Sequence, residues 1–122
     1  MSSRTALMTF AEWFGDLDES VQDPIIAVVE MLAEQGPRLD RPHADRIKGS
    51  KHHNMKELRP RDAAKRCRVL FIFDLRRQAI LLIGGDKSGQ WAKRYETAIP
   101  AAEKLYDEDL NELAASGLLD DD

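Results

Sequence analysis

At 122 residues the chain is long enough for one domain with a proper core and too short for two. Its 43% hydrophobic and 33% charged residues exclude a disordered polymer, and no apolar run approaches the ~20 residues that span a bilayer. The net charge of −4 hides a strong asymmetry, with sixteen Lys/Arg against six Asp/Glu over residues 36–95 and acidic segments on either side. A basic middle suits a polyanionic partner, because neutralisation of phosphates by Lys and Arg dominates such binding. It equally suits a balanced protein whose acidic helices pair with a basic sheet.

The start MSSRTALMTF has one Arg, with Glu12 close behind, and makes a poor signal peptide. The single Cys67 excludes an internal disulfide and fits a reducing cytoplasm. Residues 5–9 read as a short edge strand or as the lead into a helix. Phe10, Trp13, Phe14 and Leu17 then recur at steps of three and four, the spacing of an amphipathic helix. A second helix carries Val21, Ile25, Val28, Val29 and Leu32 on one face. Asp23-Pro24 is a good N-cap/N1 pair, so its regular part is expected to begin there. Gly36-Pro37 ends it, Gly taking the C′ position and Pro preventing continuation. The two helices form a hairpin that must bury its stripe, and a sheet is the obvious partner.

Residues 37–50, rich in Pro and Arg, read as a loop crossing to that sheet. Two strands follow, joined by a basic turn. Met55–Arg59 alternates in character and stops at Pro60, and Cys67–Phe73 is rich in β-branched and aromatic residues. Alternate residues of a strand share a face. Met55, Glu57 and Arg59 therefore point one way and Lys56 and Leu58 the other. In the second strand Val69, Phe71 and Phe73 oppose Arg68, Leu70 and Ile72. A hairpin that buries Leu58 with the Val69 face leaves Glu57, Arg59 and Arg68 together on its open side. A carboxylate between two guanidinium groups is either a site for anion chemistry or a solvated salt-bridge cluster. Cys67, in an apolar strand, reads as a packed thiol.

Ala79–Gly85 is an unbroken apolar run and predicts a central strand buried on both faces. The turn from Gly84 to Gly89 fits neither the dinucleotide fingerprint nor the Walker pattern, and places Lys87 at a strand end. One long helix follows, with Tyr95, Ile99, Ala102, Tyr106, Leu110 and Leu113 on a stripe that runs through Pro100. Gly117 ends it before a frayed acidic tail. His52-His53 lacks the further ligands that a zinc site needs, so no metal is expected. Trp91, Lys93, Arg94 and Tyr95 beside Lys87 combine aromatic and basic residues. That combination serves single-stranded RNA binding, or in the case of Trp91 ordinary helix-to-sheet packing.

Taken together, the two helices ending in Gly-Pro, then E-L-R, R-V-L-F, and G-G-D-K-S-G-x-W-x-x-x-Y before a long helix resemble one known family. The order and spacing are similar to those of the RelE/ParE superfamily of toxins from type II toxin–antitoxin modules, specifically its HigB-like, phage-derived branch. The resemblance covers roughly residues 5–113. It implies an α+β fold of the RelE-like kind: a small antiparallel (mixed-edge) sheet packed on an N-terminal helical hairpin, with a C-terminal helix and an open basic face. Residues 1–122 would form a single toxin domain.

Many members of that superfamily are ribosome-dependent mRNA endoribonucleases, which cut without a metal or other cofactor by attack of a ribose 2′-hydroxyl on the adjacent phosphate. On this resemblance Arg59, Arg68 and Lys87 match the cations that stabilise the phosphorane, where preorganised charge acts most strongly. Glu57 or a neighbour would accept the 2′-hydroxyl proton. Tyr95 or Trp91 would stack a base, and Lys48, Lys51, His53, Lys56, Lys93 and Arg94 would contact RNA. The catalytic His that some members carry near the C-terminus has no counterpart after His53. The implied partners are a cognate antitoxin of helix-turn-helix type, the ribosome and its mRNA, and operator DNA reached through the antitoxin. No membrane is implied, and the location is cytoplasmic. Two other readings remain: a gyrase-poisoning toxin of the ParE kind, and a non-catalytic module whose basic sheet docks RNA or an acidic protein.

Overall fold

The computed structural model describes residues 9–47, 50, 54–74, 77–87 and 91–115, with the backbone alone for 91–95. Helix α1 spans Phe10–Gly15 and opens on a capping box, in which the Thr9 hydroxyl accepts from the Glu12 N–H and the Glu12 carboxylate accepts from the Thr9 N–H. Helix α2 spans Glu19–Gln35, four residues earlier than the Asp23-Pro24 signal places its regular part. Asp18 is its N-cap, and the Asp18 carbonyl accepts from the N–H groups of Val21 and Gln22. Pro24 is carried inside the helix, at the cost of one backbone donor. Gly36 closes α2 at φ 60°, a left-handed conformation that favours glycine.

Four strands form one antiparallel sheet: β1 (Ala44–Arg46), β2 (Lys56–Leu58), β3 (Cys67–Phe73) and β4 (Ala79–Asp86), in the order β1-β2-β3-β4. The expectation of an α+β fold with an antiparallel sheet is thus borne out. Strand β1 lies within the stretch expected to be a loop. Among the described residues β4 is the last of the four strands, and the isolated antiparallel bridge between Thr9 and Ile83 lies along its other edge. The register slips between Leu70 and Phe71, so that Leu70 faces Ile83 while Phe71 faces Leu81. The bulge puts the consecutive residues Leu82 and Ile83 into the same cluster.

Each face of the sheet packs on helices. On one face Leu58, Val69 and Phe71 meet Trp13 of α1 and Ile25, Val28 and Leu32 of α2. Gly84 lets α1 approach: a Cβ at Gly84 would lie 2.0 Å from Cε3 of Trp13. On the other face Met55, Leu70, Ile72, Leu82 and Ile83 meet Ala98, Ile99, Ala102 and Tyr106 of α3 (Trp91–Ala115), one helix with Pro100 inside it. The face expected to be open is therefore covered over much of its length. Arg59, Arg68 and Gly85 lie at one end of that face, beyond the apolar residues that meet α3.

Candidate active site

The register of the sheet assembles the site. Glu57 of β2 stands opposite both Asp45 of β1 and Leu70 of β3. Arg59, two residues on from Glu57, returns to the same face, and Arg68 is two residues before Leu70 on that face. The alternation read from the sequence holds, and it brings the three charged side chains into contact. Oε2 of Glu57 accepts from Nε of Arg59 at 2.8 Å, lies 2.7 Å from Arg59 Nη2, and is 3.9 Å from Arg68 Nε. Arg59 Nη2 also reaches Asp45 Oδ2 at 3.3 Å, and Arg41 Nε approaches the same oxygen at 3.6 Å.

The two arginines are held differently. Arg68 is 11% exposed, and its Nη1 donates to the carbonyls of Lys65 (3.1 Å) and Cys67 (2.8 Å). Arg59 is more open, and its backbone N–H is fixed by the His43 carbonyl at 2.8 Å. Glu57 is only 6% exposed. A carboxylate so deeply placed, with one oxygen already spanning two guanidinium groups, is suited to holding the arginines in position.

Next to Arg68 across the sheet is Gly85, where a Cβ would meet nothing within 4 Å. Among the described residues, space is therefore left at Gly85 on the strand beside Arg68. Lys87 follows β4 and its N–H bonds the Arg66 carbonyl at 2.7 Å, which places it one alternation beyond Gly85, at the same end of the sheet as Arg68. Its side chain is exposed. Around Arg59 and Arg68 lies an open cleft of about 630 Å³, also lined by Arg61, Asp62 and Lys65. Arg61 and Lys65 were not among the expected site residues. Their signal was present in the charge of the turn R-P-R-D-A-A-K-R, but spacing alone did not place the turn against the arginines.

Lys56 alternates with Glu57, as the sequence pattern expects, and stands between Arg46 and Phe71, on the face that packs against α1 and α2. The structure does not bring it to Arg59 and Arg68. Trp91, Lys93, Arg94 and Tyr95 lie in the first turns of α3, where the backbone alone is described. Lys48, Lys51 and His53 lie outside the described residues, as does His52 of the pair weighed for zinc. Among the described residues no group of three or more His, Cys, Asp and Glu converges as a metal site. Cys67 is buried; burial pushes its thiol up, Asp86 pushes it further, and Arg68 acts against them. The expected packed thiol is what the strand contains.

Three comparisons bear on kinship. The family of phage-derived Gp49-like proteins matches residues 12–107. In Mycobacterium tuberculosis (strain ATCC 25618 / H37Rv), the protein named "Putative toxin HigB2" is 42% identical over 99 residues, covering 80% of this chain and 49% of that protein. The protein named "Putative toxin HigB3" from the same strain is 45% identical over 92 residues, covering 75% of this chain and 79% of that protein. The chain thus spans about half the length of the first relative and most of the second. No solved structure matches. The order of motifs, the antiparallel α+β fold and these relatives agree, and the chain belongs to the Gp49-like family of phage-derived proteins, in its HigB-like branch.

Proposed function

We propose that the chain is the toxin of a type II toxin–antitoxin module and that it cuts mRNA on the translating ribosome, without a metal. The observation that carries this reading is the pair of cations, Arg59 and Arg68, held by one buried carboxylate at one end of the sheet. Kinship with proteins named as HigB toxins supports the toxin role, and the basic cleft supports an RNA substrate.

In the proposed reaction the ribose 2′-oxygen forms a bond to the adjacent phosphorus. The bond from phosphorus to the 5′-oxygen breaks, leaving a 2′,3′-cyclic phosphate and a 5′-hydroxyl. Negative charge grows on the non-bridging oxygens as the phosphorane forms. Arg59, Arg68 and Lys87 would meet that charge with donors already in place. Gly85 leaves room for the phosphate beside Arg68. Glu57 acts as a positioning residue, the 2′-hydroxyl proton passes to solvent, and solvent supplies the proton that the departing 5′-oxygen takes up. Trp91 and Tyr95 would stack a base at the start of α3, with Lys93 and Arg94 beside the backbone. Lys48, Lys51 and His53 complete the proposed RNA contacts.

The partners of this reading are a helix-turn-helix antitoxin, the ribosome with its mRNA, and operator DNA bound through the antitoxin. The proposed location is the cytoplasm, and no helix among the described residues is long and apolar enough to cross a membrane. Residues 1–122 would act as one toxin domain. Induction of the chain in bacteria, with mapping of mRNA ends, tests the proposal. Growth arrest with new 5′-hydroxyl ends inside translated codons is expected. Arrest with intact mRNA and damaged DNA would point to gyrase and sink the nuclease reading.

A further inference from the structure

The cleft beside the arginine pair is larger than one phosphate requires. Its volume of about 630 Å³ lies within the ~300–1,000 Å³ that accommodates whole drug-sized ligands. Two of its cations are not engaged by the Glu57 cluster. Arg61 and Lys65 are exposed, line the same cleft as Arg59 and Arg68, and pair with no carboxylate among the described residues. Long basic side chains on a loop are ordinarily solvated, but this loop is anchored. A 3-10 turn spans Asp62–Ala64, with Ala64 fully buried in the core beneath it and Pro60 buried before it. The Ala64 N–H bonds the Arg61 carbonyl at 3.0 Å, and the Lys65 N–H bonds the Asp62 carbonyl at 3.1 Å. The Arg68 guanidinium itself donates to the Lys65 carbonyl at 3.1 Å, tying the turn to the cation proposed to hold the scissile phosphate.

We propose that Arg61 and Lys65 form a second phosphodiester seat, which holds the phosphate adjoining the scissile one on the same RNA strand. The proposal rests on the reading of Arg59 and Arg68 as a phosphate site. Asp62 lines the same cleft and opposes an anion there, so it sets the strength of the seat rather than its sign. The substrate this seat selects is an oligonucleotide with consecutive charged linkages, not a mononucleotide or a lone internucleotide bond.

The test uses the full chain and ribosomes programmed with mRNA whose attacking 2′-hydroxyl is replaced by hydrogen. Single linkages next to the scissile one are made uncharged as methylphosphonates. Loss of the adjoining charge should weaken wild-type binding about twofold to fivefold, the range of an exposed ion pair. The same substitution should leave binding by the Arg61→Ala/Lys65→Ala variant unchanged, because the partner charge is already gone. Asp62→Asn should tighten binding on the charged strand and not on the methylphosphonate strand; Asn tolerates the positive φ of 57° found there. Thermal melting of each variant verifies that the fold is kept. Equal losses for wild type and the double variant overturn the seat. A wild type insensitive to the adjoining charge, with a double variant weaker on every strand by the same factor, shows that the phosphate held comes from ribosomal RNA, which also overturns the same-strand claim. A wild-type chain that neither binds nor cuts on programmed ribosomes overturns the underlying function, and the seat falls with it.

Discussion

Glu57 and Arg59 are joined twice through one oxygen: Oε2 accepts from Nε at 2.8 Å and stands 2.7 Å from Nη2. Two residues apart on a strand, they share a face, and the planar guanidinium fork turns back onto the carboxylate. This geometry separates two roles that a Glu beside two Arg could have. A general base must offer a free lone pair to a substrate proton. A positioning group must be buried and engaged, as Glu57 is.

Glu57→Gln tests that distinction. A positioning role predicts weaker cleavage with the shape of the pH–rate profile kept, since no titrating proton acceptor is lost. A base role predicts loss of the profile's acidic limb. Stability should fall by about 1.5–3 kcal/mol, the usual cost of losing hydrogen bonds between charged groups, measured by urea unfolding. An unchanged cleavage rate would remove Glu57 from the site.

Arg68→Lys should be nearly as damaging as Arg68→Ala. The Arg68 fork serves two carbonyls through Nη1 while Nε faces Glu57. An ammonium is a point charge and cannot reproduce that planar arrangement. Removal of a donor that meets developing charge costs about 10²–10³ in kcat. Single-turnover cleavage on programmed ribosomes checks this, and a lysine variant with full activity would show that charge alone suffices.

The adjacent glycines of β4 should respond in opposite ways. At Gly84 a Cβ would lie 2.0 Å from the Trp13 ring, which is buried and has nowhere to retreat. Gly84→Ala should therefore destabilise the fold by about 1–3 kcal/mol, the range for overpacking a core. At Gly85 a Cβ meets nothing, so Gly85→Ala should leave the melting temperature equal or slightly higher. Gly85→Leu should keep the fold and suppress cleavage by filling the space beside Arg68. Unimpaired cleavage by that variant would place the phosphate elsewhere.

Much of this architecture was legible in the sequence where periodicity reports burial. The stripes of α1, α2 and α3 each show one face, and that face packs; the β-branched and aromatic run of β3 packs on both. Strand β1 was hidden because three residues, Ala44–Arg46, are too few for a period; pairing with β2 makes them a strand. At the site, alternation found Glu57, Arg59 and Arg68. Asp45 escaped because its contact with Arg59 depends on the register of the hidden strand. Alternation also puts Lys56 away from Glu57, and the structure agrees.

The last prediction concerns alkaline pH. Two buried groups, Cys67 and Tyr106, lose their protons in the fold only at higher pH than their ordinary values of 9.0 and 10.0. Burial is the larger cause for both. Asp86 adds to it at Cys67, and Asp74, Asp109 and Asp107 add to it at Tyr106. The neutral form is the one the fold accommodates. Below the unfolded-state values both groups are protonated in either state, and their contribution to stability is fully present. As pH rises past 9.0 the unfolded chain releases the Cys67 proton more readily than the folded one, and stability falls; Tyr106 extends the fall above 10.0. Urea unfolding should thus show a declining midpoint from about pH 9 upwards. Cys67→Ala should flatten the first part of that decline and Tyr106→Phe the second. The Cys67 thiol should also resist aromatic disulfide reagents at neutral pH until the chain is unfolded, because the thiolate is the nucleophile and burial disfavours it. Rapid modification of the folded protein at pH 7 would show that the β3 thiol is reachable and that burial does not govern its ionisation.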